Sequence, residues 1–181
     1  MRELLTPRLA LVPWEQRFQE DLVRLSGDER VMRFIGSGLW SRDYALRRHE
    51  SALEQWADRG FGMRAVIDRD GGAFLGPVSL GDAQASELAP PVLEIGWWVA
   101  PSAWGRGIAT EAAAAVRDEA FTPLGASSLV ACFHSANAAS ERIMAKLGMS
   151  FRDEVSDRYG RPARRYALTR AEWAALSSGR C

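Results

Sequence analysis

The chain has 181 residues, 47% apolar and 25% charged, which fits one globular domain (1–181) with a sizeable core and excludes a disordered chain. Lysine plus arginine (23) equals aspartate plus glutamate (23), for a net charge of zero, so bulk attraction to nucleic acid or an anionic membrane has no electrostatic basis. Two cysteines and two histidines are too few for a disulfide framework or a zinc site.

In chain order, RLALVPW (Arg8 to Trp14) alternates and predicts a strand. Glu15 to Ser26 carries Phe18, Leu22 and Leu25 at helical spacing, and Val31, Met32, Phe34 and Ile35 continue a short helical piece. Ser41 is placed to cap a helix that runs to about Arg59 and stops at Gly60. Phe61 to Asp68 and Ala73 to Asp82 read as strands joined by a turn at Asp70-Gly71. A loop follows, then a strand from Val92 to Val99, a helix from Gly107 to Phe121, and a strand from Ser128 to His134. A helix from about Ala136 is closed by Gly148. SFRDEVSDRYG and RPARRYALT form a final hairpin, and Thr169 caps a short helix. Cys132 reads as a small core residue, His49 as a surface residue and Cys181 as a loose terminus. The alternation of strands and helices gives a mixed α/β class.

EIGWWVAPSAWGRGIATEAAAA (Glu94 to Ala115) sets the functional question. A helix N-terminus presents unpaired N–H groups and a partial positive charge, and anions sit there. Gly105 and Gly107 remove Cβ atoms at the closest approach, and Ala109 adds little bulk. Arg106 can add a charge-assisted contact, and Thr110 offers a hydroxyl. A tight strand-to-helix turn explains Gly-x-Gly equally well. No Walker A lysine is present, and no acidic residue follows at the place a dinucleotide fingerprint requires.

WGRGIATEA (Trp104 to Ala112) closely resembles the acetyl-CoA loop of the GNAT superfamily of N-acetyltransferases. Gly107 and Ala109 fill its small positions, and Trp104 replaces the usual Gln or Arg. The Trp, LTPRLAL near the start and NAASERIMAKLGM are similar to the RimJ/RimL-like ribosomal-protein-alanine acetyltransferase branch. The resemblance implies the GNAT fold: a central, mostly antiparallel twisted sheet of about seven strands, with a splayed parallel pair at the cofactor site and flanking helices. It implies transfer of acetyl from acetyl-CoA to an amine, with no metal.

The resemblance also implies roles. Glu94 matches the strand glutamate that acts as base through water, although a solvent-facing or Arg-paired carboxylate fits the sequence too. The thioester oxygen is expected at a backbone N–H near Trp98 or Val99, and Gly96 is consistent with a bulge or a close approach. Residues 104–110 (Trp104, Gly105, Arg106, Gly107, Ile108, Ala109, Thr110) hold the pyrophosphate. Asn137 contacts the pantetheine or caps its helix. Met144 stands where many members carry a tyrosine acid, so Ser140 is the candidate donor to the leaving thiolate, or else a polar first-turn residue. His134 assists proton transfer or is structural. Met32, Phe34, Ile35, Leu39 and Trp40 line the acceptor entrance. Arg158, Arg161, Arg164 and Arg165 form a solvated face in preference to an anion site.

The expected partner is a peptide or small-molecule amine, such as an aminoglycoside, a polyamine or an amino acid. Nucleic acid and membrane are not expected, and a homodimer is compatible with the sequence. A non-catalytic acyl-CoA-binding module is the alternative from another class. No apolar run reaches membrane-spanning length and no signal peptide is evident, so the expected compartment is the cytoplasm.

Overall fold

A computed structural model describes residues 3–83, 91–157 and 159–178. The elements are β1 (Leu4–Leu5), β2 (Leu9–Pro13), a 3-10 turn (Gln16–Phe18), α1 (Gln19–Ser26), α2 (Glu29–Met32), α3 (Arg42–Arg59), β3 (Arg64–Asp68), β4 (Phe74–Asp82) and β5 (Val92–Trp97). A second 3-10 turn (Pro101–Ala103) leads to α4 (Ile108–Phe121), then β6 (Ser128–His134), α5 (Ala138–Lys146), β7 (Ser150–Ser156), β8 (Pro162–Thr169) and α6 (Arg170–Ser178). The strands form an eight-stranded sheet in the order β1-β2-β3-β4-β5-β6-β8-β7. The eighth strand is the two-residue β1, which pairs Leu4 with Leu11 and Leu5 with Ala10. Two residues are too few to show a period. Pairing is antiparallel except for the parallel pair β5 and β6.

The chain divides into two compact units, Met1–Ser79 with Trp97–Ala115 and Leu80–Gly96 with Val116–Cys181. In the first, Ser41 Oγ accepts the Tyr44 N–H at 3.2 Å, and Gly60 ends α3 at φ 69°. Ala45, His49, Ala52 and Trp56 form its buried stripe. Trp14, Phe18, Leu22, Ala52, Trp56, Met63 and Ala65 pack into one cluster. Each large apolar side chain fully buried there contributes about 2 kcal/mol. Arg64 is also buried; its Nη1 donates to the Leu11 carbonyl at 3.1 Å, and its guanidinium lies 4.8 Å from the Trp56 ring centroid.

In the second unit, Asn137 Oδ1 caps α5 by accepting the Ser140 N–H at 3.2 Å. At the other end Gly148 is left-handed (φ 81°), and the Met149 N–H reaches back to the Met144 carbonyl at 3.0 Å. That is a Schellman closure, with Met144 and Met149 both buried. Thr169 caps α6 reciprocally: its N–H donates to Glu172 Oε2 at 2.7 Å, and its hydroxyl accepts the Glu172 N–H at 3.3 Å.

Two expectations are corrected. Cys132 is accessible to solvent rather than in the core, the exposed position in a strand whose residues Ser128 to Ala131 and Phe133 are all buried. His49 is 1% exposed. Its Nδ1 accepts the Trp14 indole N–H at 3.0 Å, and its Nε2 lies 3.3 Å from Gln16 Oε1. A buried indole needs an acceptor, and the helix stripe supplies one. Cys181 lies outside the described residues.

Burial holds the His49 ring below its ordinary 6.5, with Glu50 opposing weakly. Below that pH the unfolded chain takes up a proton that the folded ring refuses, so stability is full above about pH 6.5 and declines beneath it. The urea midpoint is expected to fall between about pH 7.5 and about pH 5.5. A His49→Gln variant should show a shallower fall, measured by the same titration.

Candidate functional site

The loop before α4 is built as a turn with two left-handed residues. Gly105 has φ 73° and Gly107 φ 77°, values that cost other residues about 1–2 kcal/mol. A Cβ on Gly105 would meet nothing within 4 Å, and one on Gly107 would meet only Arg8 Nη2 at 3.5 Å. The glycines therefore serve backbone conformation, more than clearance from other protein atoms. Residues 104 to 107 are exposed. Ile108 is buried at 2%, so only its amide can serve a ligand. The Ile108, Ala109 and Thr110 amides open α4, where no carbonyl precedes them in the helix. Trp104 Nε1 donates to the Val99 carbonyl at 2.7 Å, tying the loop to the end of β5. The Arg106 guanidinium lies 3.6 Å from Asp68.

The extension of β5 carries a second set of donors. The Trp98 N–H donates to the Pro77 carbonyl at 3.0 Å and the Ala100 N–H to the Leu75 carbonyl at 2.8 Å. The Trp98 amide is thus occupied, which removes it from the expected pair. Strand alternation turns the Val99 N–H to the opposite edge, and it has no acceptor among the described residues. The Ala83 N–H to Val92 carbonyl bond keeps the same β4–β5 register at the other end, so Gly96 inserts no bulge against β4. The irregularity lies where β4 meets β3: Val66 pairs with Gly76 and Ile67 with Phe74. Gly76 (φ 135°) has the Trp98 carbonyl and Val99 Cα where a Cβ would stand. An isolated glycine within a strand was the available sequence signal.

In the second unit, the parallel pair is short. Val92, Leu93 and Glu94 pair with Ser128, Leu129 and Val130, whereas β6 continues beside β8 to His134. Leu93 and Ile95 are buried and Glu94 is half-buried on the other face. Cys132 shares that face, paired with Arg165 on β8, which in turn pairs with Asp153 on β7. Arg165 pairs with Asp153 at 2.5 Å. Although one side of Cys132 is open to solvent, crowding by protein pushes its thiol up to about 11; Glu94 and Asp153 add to the rise and Arg165 opposes it. At neutral pH about one thiol in ten thousand is ionised.

Ser140 is half-buried, and its hydroxyl has no partner among the described residues. Asn137 spends Oδ1 on the helix cap, which leaves its NH2 group. His134 Nδ1 accepts the Ala136 N–H at 3.2 Å, a turn-forming role. Met144 is 1% exposed and belongs to the core. The arginine run is paired: Arg161 with Asp157 at 2.9 Å, Arg164 with Glu141 at 3.2 Å and Arg165 with Asp153. Arg158 lies outside the described residues.

Of the expected acceptor entrance, Met32 is core at 1% exposure, while Leu39 is 52% exposed. The Trp40 ring meets Trp98 edge-on at 4.9 Å and Tyr44 at 5.0 Å. Its Nε1 is buried without an acceptor among the described residues. No group of three or more His, Cys, Asp or Glu among the described residues is placed to hold a metal ion.

Residues 8–150 match the family model described as acetyltransferase (GNAT) domain. The FsC-acetyl coenzyme A-N(2)-transacetylase of Aspergillus fumigatus is 29% identical over 180 residues, covering 93% of this chain and 76% of that protein. An acetyltransferase of the GNAT family from Bacillus anthracis has a similar solved structure, with a TM-score of 0.79 at 20% identity, covering 94% of this chain and 99% of that one. A RimL ribosomal L7/L12 alpha-N-protein acetyltransferase in complex with coenzyme A gives 0.77 at 14% identity, covering 93% and 98%. At such identities the solved structures speak for the fold alone.

Gly76→Ala is expected to cost about 3 kcal/mol or more, because its Cβ collides with the backbone of β5 and the φ is unfavourable. Chemical denaturation measures it. A loss under about 0.5 kcal/mol, the size of an ordinary surface change, would show that the two strands part easily.

Proposed function

Because the chain belongs to the acetyltransferase (GNAT) family, we propose that it is a single-domain enzyme that moves an acetyl group from acetyl-CoA to a primary amine. When bound, acetyl-CoA supplies a thioester carbonyl that the amine attacks directly; the C–N bond forms, the C–S bond breaks, and coenzyme A leaves as the thiolate. The observation that carries the reading is the pair of left-handed glycines opening α4, with amides that fit a pyrophosphate. Residues 104–110 hold that group through main-chain donors.

The Val99 N–H is the donor for the thioester oxygen. Such a donor typically contributes about 3 kcal/mol to the transition state. Glu94 takes the proton from the incoming amine, through water. The Ser140 hydroxyl and the Asn137 NH2 group hydrogen-bond the departing sulfur. Cys132 stands on the face of Glu94 as a protonated thiol, which supports direct transfer over an acyl-cysteine route.

The acceptor is a protein N-terminus, as in the RimJ/RimL-like branch, or a small-molecule amine. The name of the Aspergillus relative specifies an N(2) position and that of the RimL neighbour an alpha-N-protein site; both support nitrogen as the acceptor atom. Free-thiol release across a panel of amines and N-terminal peptides tests the reading. Tight coenzyme A binding with no turnover on any amine would favour a binding module.

Glu94→Gln should lower the rate about a hundredfold near neutral pH and less at higher pH, where the amine is already deprotonated. A pH–rate profile parallel to that of the parent enzyme would remove Glu94 as the base. Gly107→Val should abolish coenzyme A binding by calorimetry while the fold survives at a cost of about 1–3 kcal/mol. Unchanged affinity in that variant would overturn the loop assignment.

A further inference from the structure

We propose that Arg8 and Glu111 are positioning residues that lock the peptide between Arg106 and Gly107, so that the Gly107 N–H is aimed at the anion. The inference rests on the proposed acetyl-CoA site. Glu111, in the first turn of α4, accepts three hydrogen bonds and one further ion-pair contact from the start of the chain. Its Oε1 takes the Thr6 hydroxyl at 2.6 Å and the Arg8 N–H at 3.1 Å; its Oε2 takes Arg8 Nε at 2.7 Å and Nη2 at 2.6 Å. Arg8 then uses Nη1 to hold the Arg106 carbonyl at 2.8 Å. Thr6 and Arg8 are the polar residues of LTPRLAL.

The carbonyl of Arg106 and the N–H of Gly107 belong to one planar trans peptide and point in opposite directions. Holding the carbonyl towards Arg8 therefore turns the Gly107 N–H away from it. That peptide turns about ψ of Arg106 and φ of Gly107, and Gly107 stands at φ 77°. Glycine populates both signs of φ, so Gly107 itself leaves this peptide free to flip. Among the described residues, the hydrogen bond from Arg8 holds it in place. Flipped, it would present a carbonyl oxygen to a phosphate.

Charge supports the same arrangement. A bare carboxylate one turn into α4 would repel an anion at its N-terminus. Arg8 neutralises it, and Glu111 is 17% exposed against 49% for Arg8. Burial alone would raise the Glu111 carboxyl; the bonds from Thr6 and Arg8 outweigh this and hold it below its ordinary 4.5. The pair is more than a surface ion pair, because the fork of one arginine joins a carboxylate to a carbonyl.

The test compares coenzyme A affinity by calorimetry, the melting temperature, and the Gly107 amide resonance during a coenzyme A titration, in the parent and in Arg8→Met, Arg8→Lys and Glu20→Gln. Glu20→Gln breaks an exposed ion pair with Arg42 outside the loop and is the control. Both Arg8 variants should bind coenzyme A about tenfold more weakly or worse, with a smaller shift of the Gly107 amide, while still melting cooperatively. Arg8→Lys keeps the charge but cannot bridge carboxylate and carbonyl, so it should not rescue. Where thiol release is measurable, KM for acetyl-CoA should rise more than kcat falls. Parent-like affinity and amide shift in either Arg8 variant would overturn the inference. So would loss of cooperative melting in both, which would make the contact a stability element only. No coenzyme A binding by the parent protein would instead overturn the proposed function.

Discussion

β5 is held unequally on its two edges, and the candidate chemistry depends on that asymmetry. Its pairing with β6 ends at Glu94 and Val130. Its hydrogen bonds to β4 continue to Ala100. A strand bonded along one edge only has main-chain donors left on the other. Val99 leaves such a donor, flanked by the Trp98 and Ala100 hydrogen bonds that tie this segment to β4. Rigid placement matters because a donor stabilises developing charge only if it need not reorganise.

The candidate anion-binding loop before α4 follows the same logic. Its donors are backbone amides, and the surrounding side chains are organised around the main chain. Trp104 ties the loop to the Val99 carbonyl, and Arg8 holds the Arg106 carbonyl. Glycines give the turn its shape but leave it free to change shape. Distant side chains restrict that freedom. The polar contacts within each unit, such as Trp14 to His49 and Tyr166 to Glu141, likewise satisfy groups that burial would otherwise penalise.

The Cys132 thiol remains protonated at neutral pH beside two carboxylates. The described members of the arginine run are occupied by Asp157, Glu141 and Asp153. The direct transfer proposed above needs no nucleophile from the protein.

Local signals in the sequence determined the elements. Ser41 and Gly60 marked the ends of α3, Asn137 and Gly148 those of α5, and Thr169 the start of α6, because caps and left-handed closures are set by neighbouring residues. The resemblance of WGRGIATEA to an acetyl-CoA loop pointed to residues 104–110, and Glu94 stood out as a carboxylate in an apolar strand at the place of the family's glutamate. Tertiary structure alone decided the burial of His49, the exposure of Cys132, which of the Trp98 and Val99 amides is occupied, and the approach of β4 to β5 at Gly76. It also decided that Thr6 and Arg8 meet Glu111 from about a hundred residues away in sequence. Each of these depends on which chain segment lies opposite, and neither periodicity nor local propensity carries that information.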